Sequence, residues 1–190
     1  ELLSFTRTGN EGKFIVPWFD GERTPDLPNA APIYFGFGID ELSKEFIARG
    51  LIEGHVMNLY QGFKKMPINP EFIHLTGGLA RSESWVQMIA DVFECTAVPI
   101  SGEGAALGAA IHAAWVCENE AGNHTKIHDL AMPFIDYDEK MRRTPNEKNA
   151  RLYKKLLPVF ESVCNRSRGI KSEDPFLLNK QFMEYSHNVS

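Results

Sequence analysis

Between Phe72 and Glu118 the chain carries an alternation that few folds accommodate. Phe72 to Thr76 (FIHLT) is a short strand-forming run, stopped by Gly77 and Gly78 and read as a buried strand. Trp85, Met88, Ile89, Val92 and Phe93 then fall at i, i+3, i+4, i+7 and i+8, the single apolar stripe of a packed helix. Thr96 to Ile100 reads as a second short strand. Ser101 stands where a cap belongs, before an Ala-rich helix from about Gly102 to Glu118. Strand, helix, strand, helix implies an α/β layer fold, with right-handed crossovers if the strands pair in parallel.

Upstream, Lys13 to Phe19 (KFIVPWF) predicts a strand that ends in the polar loop DGERTPDLPNA. An aromatic segment, Ile33 to Gly38, follows, and Asp40 is the expected N-cap of a helix running to about Lys65. Its apolar positions are Leu42, Phe46, Ile47, Leu51, Ile52, Val56, Leu59 and Phe63. Gly50 and Gly54 lie four apart on one face of it. Each costs about 1 kcal/mol relative to Ala, so close backbone packing is expected there. Beyond Gly122 the signals weaken until a helix at about 146–163 carries Leu152, Leu156, Val159, Phe160 and Val163, with Pro158 expected to kink or shorten it. Residues 1–166 are read as one domain. Residues 167–190 are read as a polar, loosely ordered tail anchored by Phe176, Leu177 and Phe182.

A length of 190 residues suits a single domain or one and a piece, and 43% apolar with 24% charged residues excludes a disordered or fibrous chain. The first residue is Glu1 rather than Met, with no signal-peptide pattern after it, which reads as part of a longer protein. No apolar run reaches the roughly 18 residues of a membrane span, so no membrane partner is expected. The net charge of −5 gives no general attraction to nucleic acid. One stretch opposes that balance: Lys140, Arg142, Arg143, Lys148, Arg151, Lys154 and Lys155 outnumber Glu139 and Glu147 by five, and read as a solvated helix approach. Cys95, Cys117 and Cys164 are odd in number and far apart, which fits a reducing, cytoplasmic compartment.

The residues that could carry chemistry are few. In FIHLTGGLARSESW a strand delivers the chain to two glycines just before a helix, where backbone N–H groups can face a phosphate. A plain tight turn is the other reading. The stretch is neither a P-loop nor a GxGxxG fingerprint. Gly104, Gly108 and six alanines, Ala109 among them, make a helix with little side-chain bulk, expected to pack tightly against a neighbour, and Glu103 in its first turn complements the helix dipole. Asp20, Gly21, Glu22 and Arg23 form either a solvated loop or one that lines a site. His124 and His128, four apart, have no third ligand nearby, so no metal site is expected. His55, His74 and His112 read as isolated imidazoles.

Four segments, VPWFDGERTPDLPNA, ARGLIEG, HLTGGLARSESWVQMIADVF and GEGAALGAAIHAAW, resemble in order and spacing the second half of the FGGY-type carbohydrate kinases. The resemblance covers Val16 to Val163. The wording DGERTPDLPNA is most similar to D-xylulokinases, with gluconokinases and ribulokinases as near alternatives. The resemblance implies a ribonuclease-H-like domain of the actin and hexokinase type, the nucleotide-binding half of a two-domain kinase. It implies transfer of the γ-phosphoryl of ATP to a sugar hydroxyl, D-xylulose giving D-xylulose 5-phosphate, with Mg²⁺ held mainly through ATP and the N-terminal domain. By the same resemblance Gly77 and Gly78 lie near the ribose and α-phosphate, Ser82 near the adenine, and Arg81 on the same rim. Glu103 and the small-residue helix pack behind the nucleotide, and Asp20 to Arg23 sit at the domain boundary. The implied partners are sugar, ATP and the protein's own N-terminal domain, and a homodimer is compatible with it. The family's general base, first phosphate loop and Mg²⁺-associated carboxylate have no matching position here, so the chain alone is expected to be inactive. YFGFGID after Pro32 departs from the family's turn. A non-catalytic actin-like regulatory or scaffold domain is the alternative from another class.

Overall fold

The strand, helix, strand, helix order read from Phe72 onward is present in the computed structural model, which describes residues 2–101 and 104–189. In chain order the elements are β1 (Phe14–Val16), β2 (Ile33–Phe35), α1 (Lys44–Phe63), β3 (Phe72–Leu75), α2 (Glu83–Phe93) and β4 (Thr96–Pro99), then α3 (Gly104–Glu120), α4 (Ile127–Ala131), α5 (Glu147–Ser167) and α6 (Pro175–Val189). The fold is α/β. It divides into two compact units, one of Glu1–Asn69, Met88–Glu94 and Pro145–Ser190, the other of Pro70–Gln87 and Cys95–Thr144.

In the first unit β1 and β2 pair antiparallel, Phe14 opposite Phe35 and Val16 opposite Ile33. All three residues of β1 are buried, and the Phe14 ring stacks on Phe35 at 5.0 Å and tilts against Phe160 at 5.2 Å. The expected stripe of α5 is buried throughout, with Leu156, Val159 and Phe160 fully enclosed. Its Asn146 cap accepts a hydrogen bond from Asn149 N. Pro158 neither stops nor shortens this helix. It stands on the exposed face, where the carbonyl it leaves unpaired can be hydrated, and the helix continues to Ser167.

Three expectations for this unit are corrected. Asp40 lies in a 3₁₀ turn, Ile39–Glu41, and the cap of α1 is Ser43, whose Oγ accepts from Phe46 N. Of the expected apolar positions of α1 only Val56 is buried, and the buried face is Arg49, Gly50, Glu53, Gly54, Val56 and Met57. The two glycines admit the backbone of β1, and the charges beside them must therefore pair. Glu53 Oε1 accepts from Arg49 Nη1, Gly9 N and the Tyr153 hydroxyl, each at 3.0 Å. Burial pushes the Glu53 carboxyl above its ordinary range against the pull of Arg49, and pushes Tyr153 well up. The third correction concerns the tail. Residues 175–189 form α6, which packs on α5. Of its three expected anchors only Phe182 is buried, while Phe176 and Leu177 are exposed.

In the second unit β3 and β4 pair in parallel, Phe72 with Thr96 through Leu75 with Pro99. Arg143 bridges the far side of β4 through two backbone hydrogen bonds to Ala97. β3 is not the buried strand expected: Leu75 is enclosed, but Phe72 and His74 are exposed, because β3 has a paired neighbour on one edge among the described residues. The Ala-rich α3 is also corrected. It has no buried residue among those described, and Ala109 is exposed. It is tied to the start of α4 by Trp115 Nε1, which donates to Thr125 O at 2.9 Å. Gly102 and Glu103, read as opening this helix, lie outside the described residues.

Candidate functional site

The parallel pair sets the site, since both strands present their carboxyl ends to the same side. After Leu75 and Thr76 the chain turns at Gly77, with φ +94° and ψ −175°, a region that essentially only glycine occupies. Gly78 opens a 3₁₀ turn, Gly78–Arg81, anchored by buried Ala80. Ser82 O then accepts from Trp85 N and Val86 N, which starts α2. Ile100 N donates to Leu75 O and extends the ladder beyond β4.

A cavity of about 650 Å³ opens outside those strand ends. Thr76, Gly77, Gly78 and Arg81 line it from the β3 side, Ile100 and Ser101 from the β4 side, and Gly104 to Ala106 from the first turn of α3. Crevices at the carboxyl ends of parallel strands are the usual ligand sites of α/β sheets, and this volume suits a small molecule. A Cβ built on Gly78 would meet nothing within 4 Å, so the space beside it is open. Gly104 is different: a Cβ there would lie 2.7 Å from Thr76 Oγ1, so the start of α3 is set close against the end of β3. One cation, Arg81, and one carboxylate, Asp138, line the cavity among the described residues.

The structure therefore brings Gly77, Gly78 and Arg81 to one cavity. Ser82 does not line it. Asp20, Gly21, Glu22 and Arg23 belong to the first unit, in a loop closed by paired backbone hydrogen bonds between Glu22 and Leu27. Gly21 has φ +74°, and a Cβ there would meet the carbonyl oxygens of Leu27 and Pro28. Glu22 Oε2 accepts from Asn58 Nδ2 at 2.7 Å, and Asn58 Oδ1 accepts from Trp18 Nε1. Nearby His55 is half-buried, which lowers its pKa, with Glu22 opposing. Sequence reading missed Asp138. It reaches the cavity because its N–H donates to Pro99 O and Tyr137 bridges to Ile100, pairings that no local sequence pattern signals.

Residues 6–117 match the C-terminal domain of the FGGY family of carbohydrate kinases. The chain belongs to that family. It is 34% identical over 157 residues to a xylulose kinase of Haemophilus influenzae, covering 80% of this chain and 31% of that protein. It is 33% identical over 192 residues to a gluconokinase of Bacillus licheniformis, covering 95% of this chain and 34% of that one. The crystal structure of ligand-bound xylulose kinase from Lactobacillus acidophilus superposes with a TM-score of 0.74 at 25% identity, over 87% of this chain and 33% of that one. The chain thus spans about a third of the length of these FGGY relatives.

Proposed function

We propose that the chain is the nucleotide-binding, C-terminal part of an ATP-dependent carbohydrate kinase, folded as a ribonuclease-H-like domain of the actin and hexokinase type. The observation that carries this reading is the cavity at the carboxyl ends of β3 and β4, walled by Gly77, Gly78 and Arg81, in a chain of a carbohydrate-kinase family. Without side chains, Gly77 and Gly78 let the main chain approach the ribose and α-phosphate, and Arg81 supplies positive charge beside them. Ser82 follows Arg81 without lining the cavity, and in this reading only a ligand that extends past Arg81 would bring the adenine to it.

Phosphoryl transfer depends mainly on positioning and on neutralising charge around the γ-phosphoryl. In this reading ATP would supply that group, and Mg²⁺ would offset its charge. Among the described residues Asp138 is the one carboxylate at the cavity, and its Oδ1 already accepts from Met141 N. This fits a Mg²⁺ carried chiefly by nucleotide phosphates, the ion's usual mode. The sugar, the base and the remaining metal contacts belong to an N-terminal domain in this reading. With Glu22 held by Asn58, the exposed side chains of Asp20 and Arg23 are those left to face that domain. The relatives' names divide between xylulose kinase and gluconokinase, and DGERTPDLPNA favours D-xylulose over gluconate and ribulose. A cytoplasmic location is part of the same proposal.

The test is calorimetric titration of ADP into the 190-residue chain and into Gly78→Val. Weak, saturable binding is expected, and its loss in a variant that still unfolds cooperatively. Unchanged affinity in folded Gly78→Val removes the site. A coupled ADP-release assay of the chain with D-xylulose or D-gluconate is expected to be silent. Sugar-dependent turnover would mean that a base lies within these residues, with Asp20 and Glu22 the first to mutate.

A further inference from the structure

The first unit contains a second cavity, of about 490 Å³, that the kinase reading does not use. Four parts of the chain converge on it: the loop Thr6 to Glu11, Arg49 of α1, the first turn of α5 with Lys148 and Asn149, and the last turn of α6 with Ser186 and His187. Among the described residues three permanent cations, Arg7, Arg49 and Lys148, line it against one carboxylate, Glu11. That carboxylate is held by the buried ammonium of Lys13, 3.1 Å from its Oε2, an ammonium it shares with Glu41 at 3.0 Å. Arg49 is neutralised by Glu53. The side chains of Arg7 and Lys148 have no hydrogen bond or ion pair among the described residues, so two cationic side chains without a partner line the cavity, one from each side.

The wall between them is rigid. The Arg49 guanidinium is fixed by hydrogen bonds to Leu3 O, Thr6 O, Thr6 Oγ1 and Glu53 Oε1. Gly9, Asn10, Glu11 and Gly12 all have positive φ, a costly run held by Gly9 N on Glu53 and by Asn10 Nδ2 on Lys13 O and Phe46 O. Asn149 is fixed by donating to Asp91 Oδ2 at 2.9 Å. A preformed concave site of this volume, with unpaired cations and the Thr8 hydroxyl, suits a small anion with several acceptor oxygens. Two cationic side chains on opposite walls suit the acceptor oxygens of a phosphate group, which carries about −1.5 to −2 at neutral pH.

We propose that this cavity is a binding site for a phosphate group, either inorganic phosphate or the phosphate of a small sugar phosphate. It explains one part of the basic run, since Lys148 faces a built cavity and not only solvent. The test follows backbone amide shifts of the 190-residue chain at constant ionic strength, during titration with inorganic phosphate, D-ribose 5-phosphate or neutral D-ribose. Saturable shifts at residues 6–11, 148–149 and 186–187 are expected with the first two and none with ribose. Tighter binding of ribose 5-phosphate identifies the sugar phosphate as the ligand, and equal affinity identifies phosphate itself. Arg7→Ala and Lys148→Ala, both at exposed positions, should each weaken binding about tenfold or more, with Arg7→Lys recovering part of the loss. Lys154→Ala, in the same basic run but outside the cavity, should change it less than about twofold. No saturable shift at these residues, or equal losses in Lys154→Ala and Lys148→Ala, overturns the proposal.

Discussion

Gly54 and Ile15 lie so close that a Cβ on Gly54 would fall inside the van der Waals envelope of the Ile15 carbonyl oxygen. The obstacle is backbone on both sides, so neither partner can swing away. Gly54→Ala should cost about 3 kcal/mol, the upper end of overpacking penalties. Gly62, in the same helix, has nothing within 4 Å of its Cβ position, and Gly62→Ala should gain up to about 1 kcal/mol. Urea melts of the two variants should move in opposite directions.

The paired glycines at the candidate site should separate in the same kind of experiment. Gly77 is required by its backbone conformation, so Gly77→Ala should cost about 1–3 kcal/mol of stability with or without nucleotide. Gly78 has open space beside it, so Gly78→Ala should leave stability within about 0.5 kcal/mol while weakening nucleotide binding. Equal effects of the two on unfolding would contradict the assignment of turn to one and space to the other.

Much of this architecture was legible because it rests on local patterns. The stripe of α5, the two short strands around α2 and the glycines after β3 are each announced by spacing and turn residues. Other features are set by what lies across the chain. The apolar positions of α1 point to one face, yet β1 settles on the face that carries Gly50 and Gly54, a choice fixed by backbone approach and not by hydrophobicity. The alanines of α3 allow close packing, but allowing it does not supply a neighbour. Ala109→Leu should therefore change stability by no more than about 0.5 kcal/mol. The order of α6 is hidden in the sequence because it rests on contacts with distant parts of the chain, such as Phe182 seated over Gly9 and Phe176 tilted against Phe35.

Glu53 gives a pH dependence of definite sign. Its carboxyl titrates above its ordinary value of about 4.3 in the folded chain because burial disfavours the charge. Below the unfolded value both states are protonated and its contribution is complete. As pH rises through the folded value that contribution is lost. The urea midpoint of the chain relative to Glu53→Gln should therefore be highest near pH 4 and fall as pH rises. A difference that grew with pH would mean that Arg49 outweighs burial.

The cysteines should divide two to one. Cys95 and Cys164 are buried, and burial pushes the Cys164 thiol up to about 12, whereas Cys117 is exposed on α3. Because the thiolate is the reacting form, an aromatic disulfide reagent at pH 8 should modify one equivalent quickly and two more only in denaturant. Cys117→Ser should remove the fast phase alone.

The division into units has a consequence for the order in which the protein can mature. The second unit is complete once Thr144 has been made, while the first is interrupted twice and still lacks α5 and α6 at that moment. The fully buried Phe14 then waits for Phe160, and Gly9 for Phe182, both supplied by the last 46 positions of the chain, Pro145–Ser190. During synthesis the glycine-lined cavity can form first, and the apolar surface of β1 and α1 is the part left uncovered longest. A chain ended at Thr144 would leave that surface open to water.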